Sequence, residues 1–318
     1  MVPVLIDSDT GVDDALGLVH VLATYDHIVG ITTVWGNGTL ADCTRHALII
    51  TEQLGSDVPV VPGAVRPLVG DPYYVPHIHG QRATGGADLP DPTRRASNEP
   101  YLEFIRRLAH EYSGELVIAA VGPLTNLGLA FATYPELASH IRRVVWMGGA
   151  VERSGNDAPT GEANAIRDPE AAEIVMASGV EVWMLPLDVT DFVCLQRDEL
   201  DRIAKVDTPG ARHLAAVVPL YLDFYESVLG VPEAAMHSGL AMSIAIDPSL
   251  VTDLRRLEIH VELDGSRTRG MTVVDRRPIR GRPHTWREAD VATHWIRSVD
   301  VGRYRADHLA AVCAKAAT

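Results

Sequence analysis

The sequence predicts an α/β fold, in which an open, mainly parallel sheet is flanked by helices. Two observations carry this prediction. Short apolar runs bounded by Gly, Pro or Asp alternate with longer amphipathic stretches, and polar residues follow the ends of the apolar runs. No composition shift or Ser/Gly-rich linker divides the 318 residues, so we expect a single domain over residues 1–318.

The apolar runs are expected to form the strands, and the amphipathic stretches between them the helices. The predicted strands are residues 2–6, 28–34, 58–61, 116–121, 144–147 and 180–187. The predicted helices lie near residues 13–24, 38–54, 99–112, 124–133, 168–178 and 208–229. Beyond about residue 250, a hairpin from 257–263 and 271–274 and a last helix over roughly 303–316 are expected. This tail is predicted either to cap the sheet or to pair with another subunit.

Composition narrows the class of partner. The chain has 28 basic and 42 acidic residues, and its Lys and Arg are scattered without interleaved aromatics, which argues against nucleic acid as a partner. Its three cysteines, Cys43, Cys194 and Cys313, are far apart, so neither a disulfide framework nor a Cys/His zinc site is indicated. No apolar run approaches a membrane span and the first strand begins at once, so we expect a cytoplasmic protein.

An acidic cluster follows the first predicted strand. Asp7, Asp9, Asp13 and Asp14 fall within eight residues, and carboxylates held this close repel one another unless a cation or protons compensate them. Oxygen ligands favour calcium or magnesium over zinc. A plain helix start explains one or two of these acids, since Asp and Thr cap helices, but not all of them. The cluster therefore predicts a site for a hard cation.

Polar residues also follow the other predicted strands. Because a ligand site in an open parallel sheet forms outside the carboxyl ends of its strands, these residues are expected to converge on one pocket. They are Gly36-Asn37, the segment 122–126, Gly148-Gly149 and the segment 188–191, with Glu162, Asn164 and His237 further along the chain.

At this point the chain resembles a known family, the calcium-dependent nucleoside hydrolases, which cleave the N-glycosidic bond of ribonucleosides. The resemblance rests on blocks in family order: IDSDTGVDDA, ITTVWGNGTL, IHG, VGPLTN, VVWMGGA, GEANAIRDPEAA, LPLDVT, MHSGLAMSIAIDPSL and TVVDRR. It implies a Rossmann-like core, a small-molecule nucleoside as substrate, Ca²⁺ as cofactor, and a homodimer or homotetramer.

The resemblance also implies roles for residues of the acidic cluster. Asp9 and Asp14 match the family positions that hold calcium, and Val121 matches one that offers its backbone carbonyl to the ion. Calcium lowers the pKa of the attacking water, and Asp9 is expected to take the proton from it as general base. Asp13 matches a position that hydrogen-bonds a ribose hydroxyl.

Further positions match the sites of the sugar and the base. The expected ribose ligands are Asn37, Asn156, Glu162 and Asn164, with Met147 packing beneath the sugar. His79 and His237 match histidines near the base, with His237 as the acid for the leaving base and Tyr225 assisting proton delivery. Taken singly, each polar residue also fits a surface turn or a helix cap, and each histidine fits a structural role.

The chain departs from the family at several positions. Ser238 stands where the family has a third metal-binding Asp, so calcium affinity is expected to fall unless Asp191 or Asp7 compensates. Leu229 replaces an arginine found in some purine-cleaving members, and Thr10 replaces a common Pro. The segment 81–88 differs in glycine spacing and is expected to form a mobile flap over the base.

These departures leave alternatives to a working hydrolase with altered substrate preference. One is a catalytically weak or inactive relative that binds a ribosyl ligand. Another, suggested by Asp7-Ser8-Asp9, is a haloacid dehalogenase-type phosphatase, although Gly11 stands where that motif needs Thr or Val. Trp35 and Trp146 are able to stack on a base, but a core position is the stronger expectation for both.

Overall fold

The structure is a computed structural model that describes residues 1–275 and 291–313. It confirms the predicted α/β fold. The strands are β1 (Val4–Ser8), β2 (Ile28–Thr33), β3 (Val60–Pro62), β4 (Leu116–Ala120), β5 (Ile141–Met147), β6 (Val182–Leu185), β7 (Cys194–Gln196), β8 (Glu233–Ala235), β9 (Val251–Arg256), β10 (Ile259–Val261), β11 (Thr272–Val274) and β12 (Thr293–Val299).

The helices connect and flank these strands. They are α1 (Val12–Thr24), α2 (Leu40–Gln53), α3 (Pro76–His79), α4 (Tyr101–Glu111), α5 (Thr125–Thr133), α6 (Leu137–His140), α7 (Ala163–Arg167), α8 (Pro169–Ala177), α9 (Leu187–Thr190), α10 (Arg197–Ile203), α11 (Pro209–Leu229), α12 (His237–Ile246) and α13 (Val301–Cys313). Short 3₁₀ turns lie at Gln81–Ala83 and Pro248–Leu250. The predicted end of the last helix, and Arg276 and Arg277 of the TVVDRR block, lie outside the described residues.

The main sheet has the strand order β3-β2-β1-β4-β5-β6-β12-β9. All its neighbouring strands run parallel except β9, which pairs antiparallel with β12. From β1 the next two strands, β2 and β3, are added toward one edge of the sheet, whereas from β4 the strands β5 and β6 are added toward the other edge. The strand order therefore reverses between β1 and β4. Ligands of such sheets bind at this reversal, outside the carboxyl ends of the strands.

Side chains alternate between the two faces of the sheet, and each face is covered by helices. On β1, Val4 and Ile6 join the apolar layer that α1, α11 and α12 cover, whereas Leu5 joins the layer beneath α4, α5 and α8. Both layers are buried, which explains why the central strands read as continuous apolar runs rather than alternating ones.

The tail after residue 250 extends the sheet. β12 pairs in parallel with β6, with Thr293 opposite Val182, and β9 closes the edge. The predicted hairpin is confirmed as the pair β10 and β11, which forms a small sheet of its own. β9 and β12 were not predicted. Among the described residues, no helix is long and apolar enough to cross a membrane.

Candidate active site

A cavity of about 590 Å³ opens at the reversal between β1 and β4. It is lined by residues from loops that follow β1, β2, β4 and β5, together with α3, α7, α11 and the start of α12. The predicted site residues that line it are Asp9, Asp13, Asn37, His79, Val121, Met147, Asn156, Glu162, Asn164, Tyr225, His237 and Ser238. Asp14 is fully buried and does not reach the cavity lining.

Asp9 lies immediately beyond β1 and is held by the loop after β2. The backbone N–H of Asn37 donates to its Oδ2 at 2.8 Å, and a Cβ on Gly36 would collide with its carboxylate, so only glycine permits this approach. Asp9 Oδ1 is buried and has no hydrogen-bond partner within residues 1–275 and 291–313. A buried carboxylate oxygen without a partner is costly unless a ligand satisfies it.

Asp14 is the third residue of α1 and caps the start of that helix. Its Oδ2 accepts hydrogen bonds from Gly11 N at 2.8 Å and from Asn37 Nδ2 at 3.2 Å, and its Oδ1 accepts from Ser8 Oγ at 3.0 Å. Asp14 therefore acts in part as an ordinary helix cap, as the helix-start interpretation predicts. It does not account for Asp9 and Asp13.

The acidic cluster is electrostatically strained. Burial, followed by the charges of Asp13 and Asp9, raises the pKa of Asp14 well above its usual range. Burial also raises the pKa of Asp9 to about 7. The positive charge of Arg167 opposes this rise, and the negative charge of Asp13 reinforces it. A cation would relieve this repulsion.

The available oxygens fit a hard cation in part. Asp9 Oδ1 has no partner among the described residues, and Val121, whose carbonyl accepts a hydrogen bond from Asn164, lines the cavity. In the part of the chain that the structure describes, however, no group of three or more His, Cys, Asp or Glu side chains is arranged to hold a metal ion. Asp7, considered as an extra ligand, accepts hydrogen bonds from Thr32 and Asn126 and lies outside the cavity lining.

Ser238 replaces charge with a hydrogen bond. Its Oγ donates to Asp13 Oδ2 at 2.8 Å, and its backbone N–H donates to the same oxygen at 3.3 Å. Ser238 therefore fixes the Asp13 carboxylate at the start of α12. Asp191, the other acid considered as compensation, lines the cavity and pairs with Arg153 at 3.2 Å.

Glu162 and Asn164 join three elements of the site. Glu162 caps α7 by accepting from the backbone N–H groups of Asn164 and Ala165, each at 3.0 Å, and it also accepts from Gly149 N at 2.8 Å. Burial raises its pKa to about 7 despite these bonds. Asn164 Nδ2 donates to the carbonyls of Val121 and Met147, at 3.1 and 3.0 Å, and so links the ends of β4 and β5.

The sugar-side residues differ in exposure. Met147 is 3% exposed and forms part of the cavity wall. Asn156 is exposed, and its Oδ1 accepts from Ala163 N at 2.9 Å, which ties its loop to α7. Asn156 therefore lies at the open side of the cavity, opposite the buried acids.

A histidine and a tyrosine meet on the side expected for the base. His237 Nε2 lies 2.9 Å from the hydroxyl of Tyr225, and its Nδ1 lies 2.8 Å from Thr190 Oγ1. This contact between α11 and α12 forms a hydrogen-bonded chain from Thr190 through His237 to Tyr225. Such a chain is able to hold and move a proton at the cavity wall.

His79 is neutral in this site. Its Nδ1 accepts from the backbone N–H of Val12 at 3.1 Å, so its proton is on Nε2. Burial lowers its pKa to about 4. Its approach to Asp13, 4.0 Å between Nδ1 and Oδ1, is therefore not an ion pair.

Arg167 was not among the predicted site residues. It lines the cavity, its side chain is 3% exposed, and one guanidinium nitrogen lies 3.5 Å from Asp9 Oδ2. A signal for it was available, because residues three apart on a helix share a face and Arg167 follows Asn164 by three in α7. The spacing therefore predicts that Arg167 lies on the same side of α7 as Asn164.

The structure also places the two tryptophans, Leu229 and the expected flap. Trp35 and Trp146 are fully buried, which confirms the expectation that both lie in the core. Trp35 Nε1 donates to Thr125 Oγ1 at 3.1 Å. Leu229 is 57% exposed at the cavity rim. In the expected flap, Arg82 and Ala83 have φ angles of 61° and 58°, an unusual conformation for residues other than glycine.

An α/β sheet with clustered carboxylates and amides at its reversal and a histidine–tyrosine pair above them defines a hydrolase site for a small polar substrate. The family model described as inosine-uridine preferring nucleoside hydrolase matches residues 4–306. The chain therefore belongs to the inosine-uridine preferring nucleoside hydrolase family. It is an N-ribosyl hydrolase, which hydrolyses the N-glycosidic bond of ribonucleosides.

Similar proteins agree with this family. The chain is 34% identical to uridine nucleosidase 1 of Arabidopsis thaliana over 82% of this chain and 78% of that one. It is 35% identical to the pyrimidine-specific ribonucleoside hydrolase RihA of Escherichia coli (strain K12), over 86% and 88%. The family match and both relatives are nucleoside hydrolases, so they do not support the haloacid dehalogenase-type phosphatase alternative.

Solved structures extend the agreement to the fold. A purine-preferring ribonucleoside hydrolase from Gardnerella vaginalis superposes with a TM-score of 0.90 at 31% identity, covering 98% of both chains. A plant nucleoside hydrolase superposes with a TM-score of 0.91 at 26% identity, covering 99% of both chains.

Proposed function

We propose that this chain hydrolyses ribonucleosides with a calcium ion held by Asp9, the carbonyl of Val121 and Asp14, which would exchange a hydrogen bond such as that from Asn37 for the ion. The observation that carries the proposal is the buried Asp9 Oδ1, which lacks a hydrogen-bond partner among the described residues and belongs to a cluster of repelling carboxylates. When bound, such an ion lowers the pKa of an attacking water and orients the ribose diol. Oxygen-only donors suit calcium, although the serine at 238 contributes no charge.

The residues around this cluster divide the remaining work. Asp9 takes a proton from the water whose oxygen attacks C1′ as the C–N bond breaks. Asp13, held by Ser238, accepts a hydrogen bond from a ribose hydroxyl. Asn37, Asn156, Glu162 and Asn164 bind the other hydroxyls, and Met147 packs beneath the ring. In its ionised form, Glu162 also stabilises the positive charge that develops on the ribosyl group.

The leaving base departs past the histidines. His237, bonded to Tyr225 at 2.9 Å, supplies the proton that the base takes as it leaves. His79, with its proton on Nε2, donates a hydrogen bond toward the base. Because the named relatives at 34–35% identity act on uridine or pyrimidine ribonucleosides, we infer a pyrimidine ribonucleoside as the first substrate to test.

The test is a chromatographic assay of uridine, cytidine and inosine, with their 2′- and 3′-deoxy forms, in added calcium or in chelator. We expect release of free base from ribonucleosides, lost in chelator and strongly reduced for the deoxy forms, because unpaired polar groups in the site reject analogues that lack a hydroxyl. Base release that is equal with calcium and with chelator would overturn the calcium proposal. No release from any substrate would overturn the hydrolase proposal.

One observation favours a second candidate, a slow enzyme that chiefly binds a ribosyl ligand. The Oγ of Ser238 is engaged by Asp13, so position 238 supplies no carboxylate where an anionic ligand is expected. Equilibrium binding of a nucleoside without release of its base would distinguish this candidate.

We also propose a homodimer or homotetramer in the cytoplasm. Light scattering after size-exclusion chromatography tests the first point, and fractionation of the cells tests the second.

A further inference from the structure

The last residue of α7 places a permanent positive charge inside the acidic site. The side chain of Arg167 is 3% exposed and that of Asp9 is 1% exposed, and they approach to 3.5 Å. The same guanidinium nitrogen donates to Asn37 Oδ1 at 3.3 Å. Because arginine does not lose its proton in proteins, this charge is present at every working pH.

The guanidinium is held from its outer side as well. Its Nε lies 3.9 Å from Asp157 Oδ2, the oxygen that also accepts from the hydroxyl of Tyr73 at 2.6 Å. The guanidinium carbon lies 5.7 Å from the centre of the Tyr73 ring. Within the described portion of the chain Nε has no hydrogen-bond partner, so the strongest contacts of the group are those made by its inner nitrogen. The group therefore faces the acids rather than solvent.

A buried charge is tolerated only when an opposite charge compensates it. Arg167 and Asp9 fulfil that condition for each other, and the positive charge of Arg167 opposes the rise in the pKa of Asp9 that burial causes. The proposed cation uses the same carboxylate. A divalent ion at Asp9 would lie within a few ångströms of the guanidinium, where like charges repel across a water-poor cavity.

We propose that Arg167 is a built-in counter-ion of Asp9 that competes with the divalent cation and sets the cation affinity of the site. This inference rests on the proposed calcium site. It adds a second reason for weak binding that is independent of Ser238, since one residue withholds a negative charge and the other adds a positive one. Arg167 is accordingly a positioning residue, which orients Asp9 in the absence of the ion.

The test is calorimetric titration of CaCl₂ into chelator-treated protein for the wild type and three variants. Arg167→Met removes the charge while keeping an apolar chain of similar length, and Arg167→Lys keeps the charge. Arg153→Met is the matched control, because Arg153 lines the same cavity but is 41% exposed and paired with Asp191. Circular dichroism verifies that each variant is folded.

We expect Arg167→Met to bind calcium at least about tenfold more tightly than the wild type, because a unit charge a few ångströms away is worth at least that much. Arg167→Lys should bind within about threefold of the wild type, and Arg153→Met likewise, since solvent screens its charge. Equal or weaker binding by Arg167→Met would overturn the inference. So would an equal gain in Arg153→Met, or an absence of binding in every protein.

Base release from uridine, measured on the same preparations, separates this inference from the proposed function. Tighter calcium binding by Arg167→Met, with no base released by the wild type, would support the counter-ion and overturn the hydrolase proposal. Calcium-dependent base release with unchanged affinity in Arg167→Met would do the reverse.

Discussion

Asp9 combines two features that Asp13 and Asp14 do not share. One of its oxygens is bonded by Asn37 N, and the other is buried without a partner among the described residues. Asp14, by contrast, has both oxygens bonded, and Asp13 is bonded by Ser238. Asp7 also has a buried oxygen without a partner among the described residues, but it lies outside the cavity lining. We therefore assign the general base to Asp9 rather than to the other acids.

We predict that Asp9→Asn lowers the rate of base release by about 10³-fold or more, since the amide cannot accept the proton of the water and binds a cation poorly. The measurement is release of uracil from uridine in added calcium. Asp26→Asn, an exposed change beyond the far end of α1, should leave the rate unchanged. A rate within tenfold of the wild type for Asp9→Asn would show that another group is the base.

Ser238→Asp should strengthen calcium binding by about tenfold or more, because it adds an anionic oxygen beside Asp13. In chelator the same variant should unfold at a lower temperature than the wild type, since its new carboxylate repels Asp13. Calorimetric titration and thermal unfolding measure the two effects. Ser238→Ala, which adds no charge, is the control, and an affinity unchanged by Ser238→Asp would place residue 238 away from the ion.

At the scale of elements, a buried histidine pair joins α2 to α11. His46 Nε2 and His213 Nε2 lie 3.1 Å apart, and His46 Nδ1 donates to the carbonyl of Thr10 at 3.1 Å. Because that carbonyl only accepts, neutral His46 has its proton on Nδ1, so its Nε2 is the hydrogen-bond acceptor in the contact with His213. The pair thus anchors the loop that carries Asp9 to two helices.

Burial lowers the pKa of His46 to about 4 and that of His213 to about 3. Below the usual histidine pKa of about 6.5, the unfolded chain therefore binds protons that the folded chain does not, and the pair's contribution to stability falls as pH falls. That contribution is complete above about pH 6.5 and is lost progressively toward pH 4.

We predict that the stability advantage of the wild type over His213→Gln shrinks between pH 6.5 and 4, by up to about 1.4 kcal/mol per pH unit. Urea unfolding at several pH values measures it. The comparison with a variant is needed because buried carboxylates such as Glu162, with a raised pKa, change stability in the opposite direction. His110→Gln, on an exposed surface, should show no such trend, and parallel curves for His213→Gln and the wild type would contradict the prediction.

For the whole molecule, we propose that residues 1–318 unfold as one domain whose stability depends on the cation. The free energy of unfolding should rise by about 2.7 kcal/mol at a calcium concentration one hundred times the dissociation constant. Scanning calorimetry in calcium and in chelator measures this, with a single transition expected in both. A melting temperature that calcium does not move, or two separated transitions, would contradict the proposal.

The predicted strands and helices correspond closely to the observed ones where the apolar pattern is strong. The central strands β1, β2 and β4 are buried on both faces, so their sequences are apolar up to the polar residues at the carboxyl ends of β1 and β2. β9 and β12 lie at the half-exposed edge and carry charged residues that pair across the strands, such as Arg297 with Asp253 at 3.2 Å. That mixed composition hides the strand pattern from the sequence.

The sequence by itself determined the fold class, the acidic cluster after the first strand and twelve of the residues that line the cavity. The fold class and the acidic cluster follow from local rules, since a parallel sheet brings the ends of its strands to one edge whatever the loops contain. Other site residues, such as Asn156 and Tyr225, were predicted only from the resemblance to the family. The sequence also showed that Ser238 departs from the family pattern, because the rest of the block MHSGLAMSIAIDPSL resembles the family.

Only the tertiary structure decided which side chains meet. Ser238 bonds Asp13 across 225 positions of the chain, and Arg167 reaches Asn37 across 130. Such contacts depend on how α1, α7 and α12 are oriented around the end of the sheet, which no local pattern specifies. The charge beside Asp9 is therefore a property of the packed molecule, because its effect depends on a separation of 3.5 Å and on the exclusion of water.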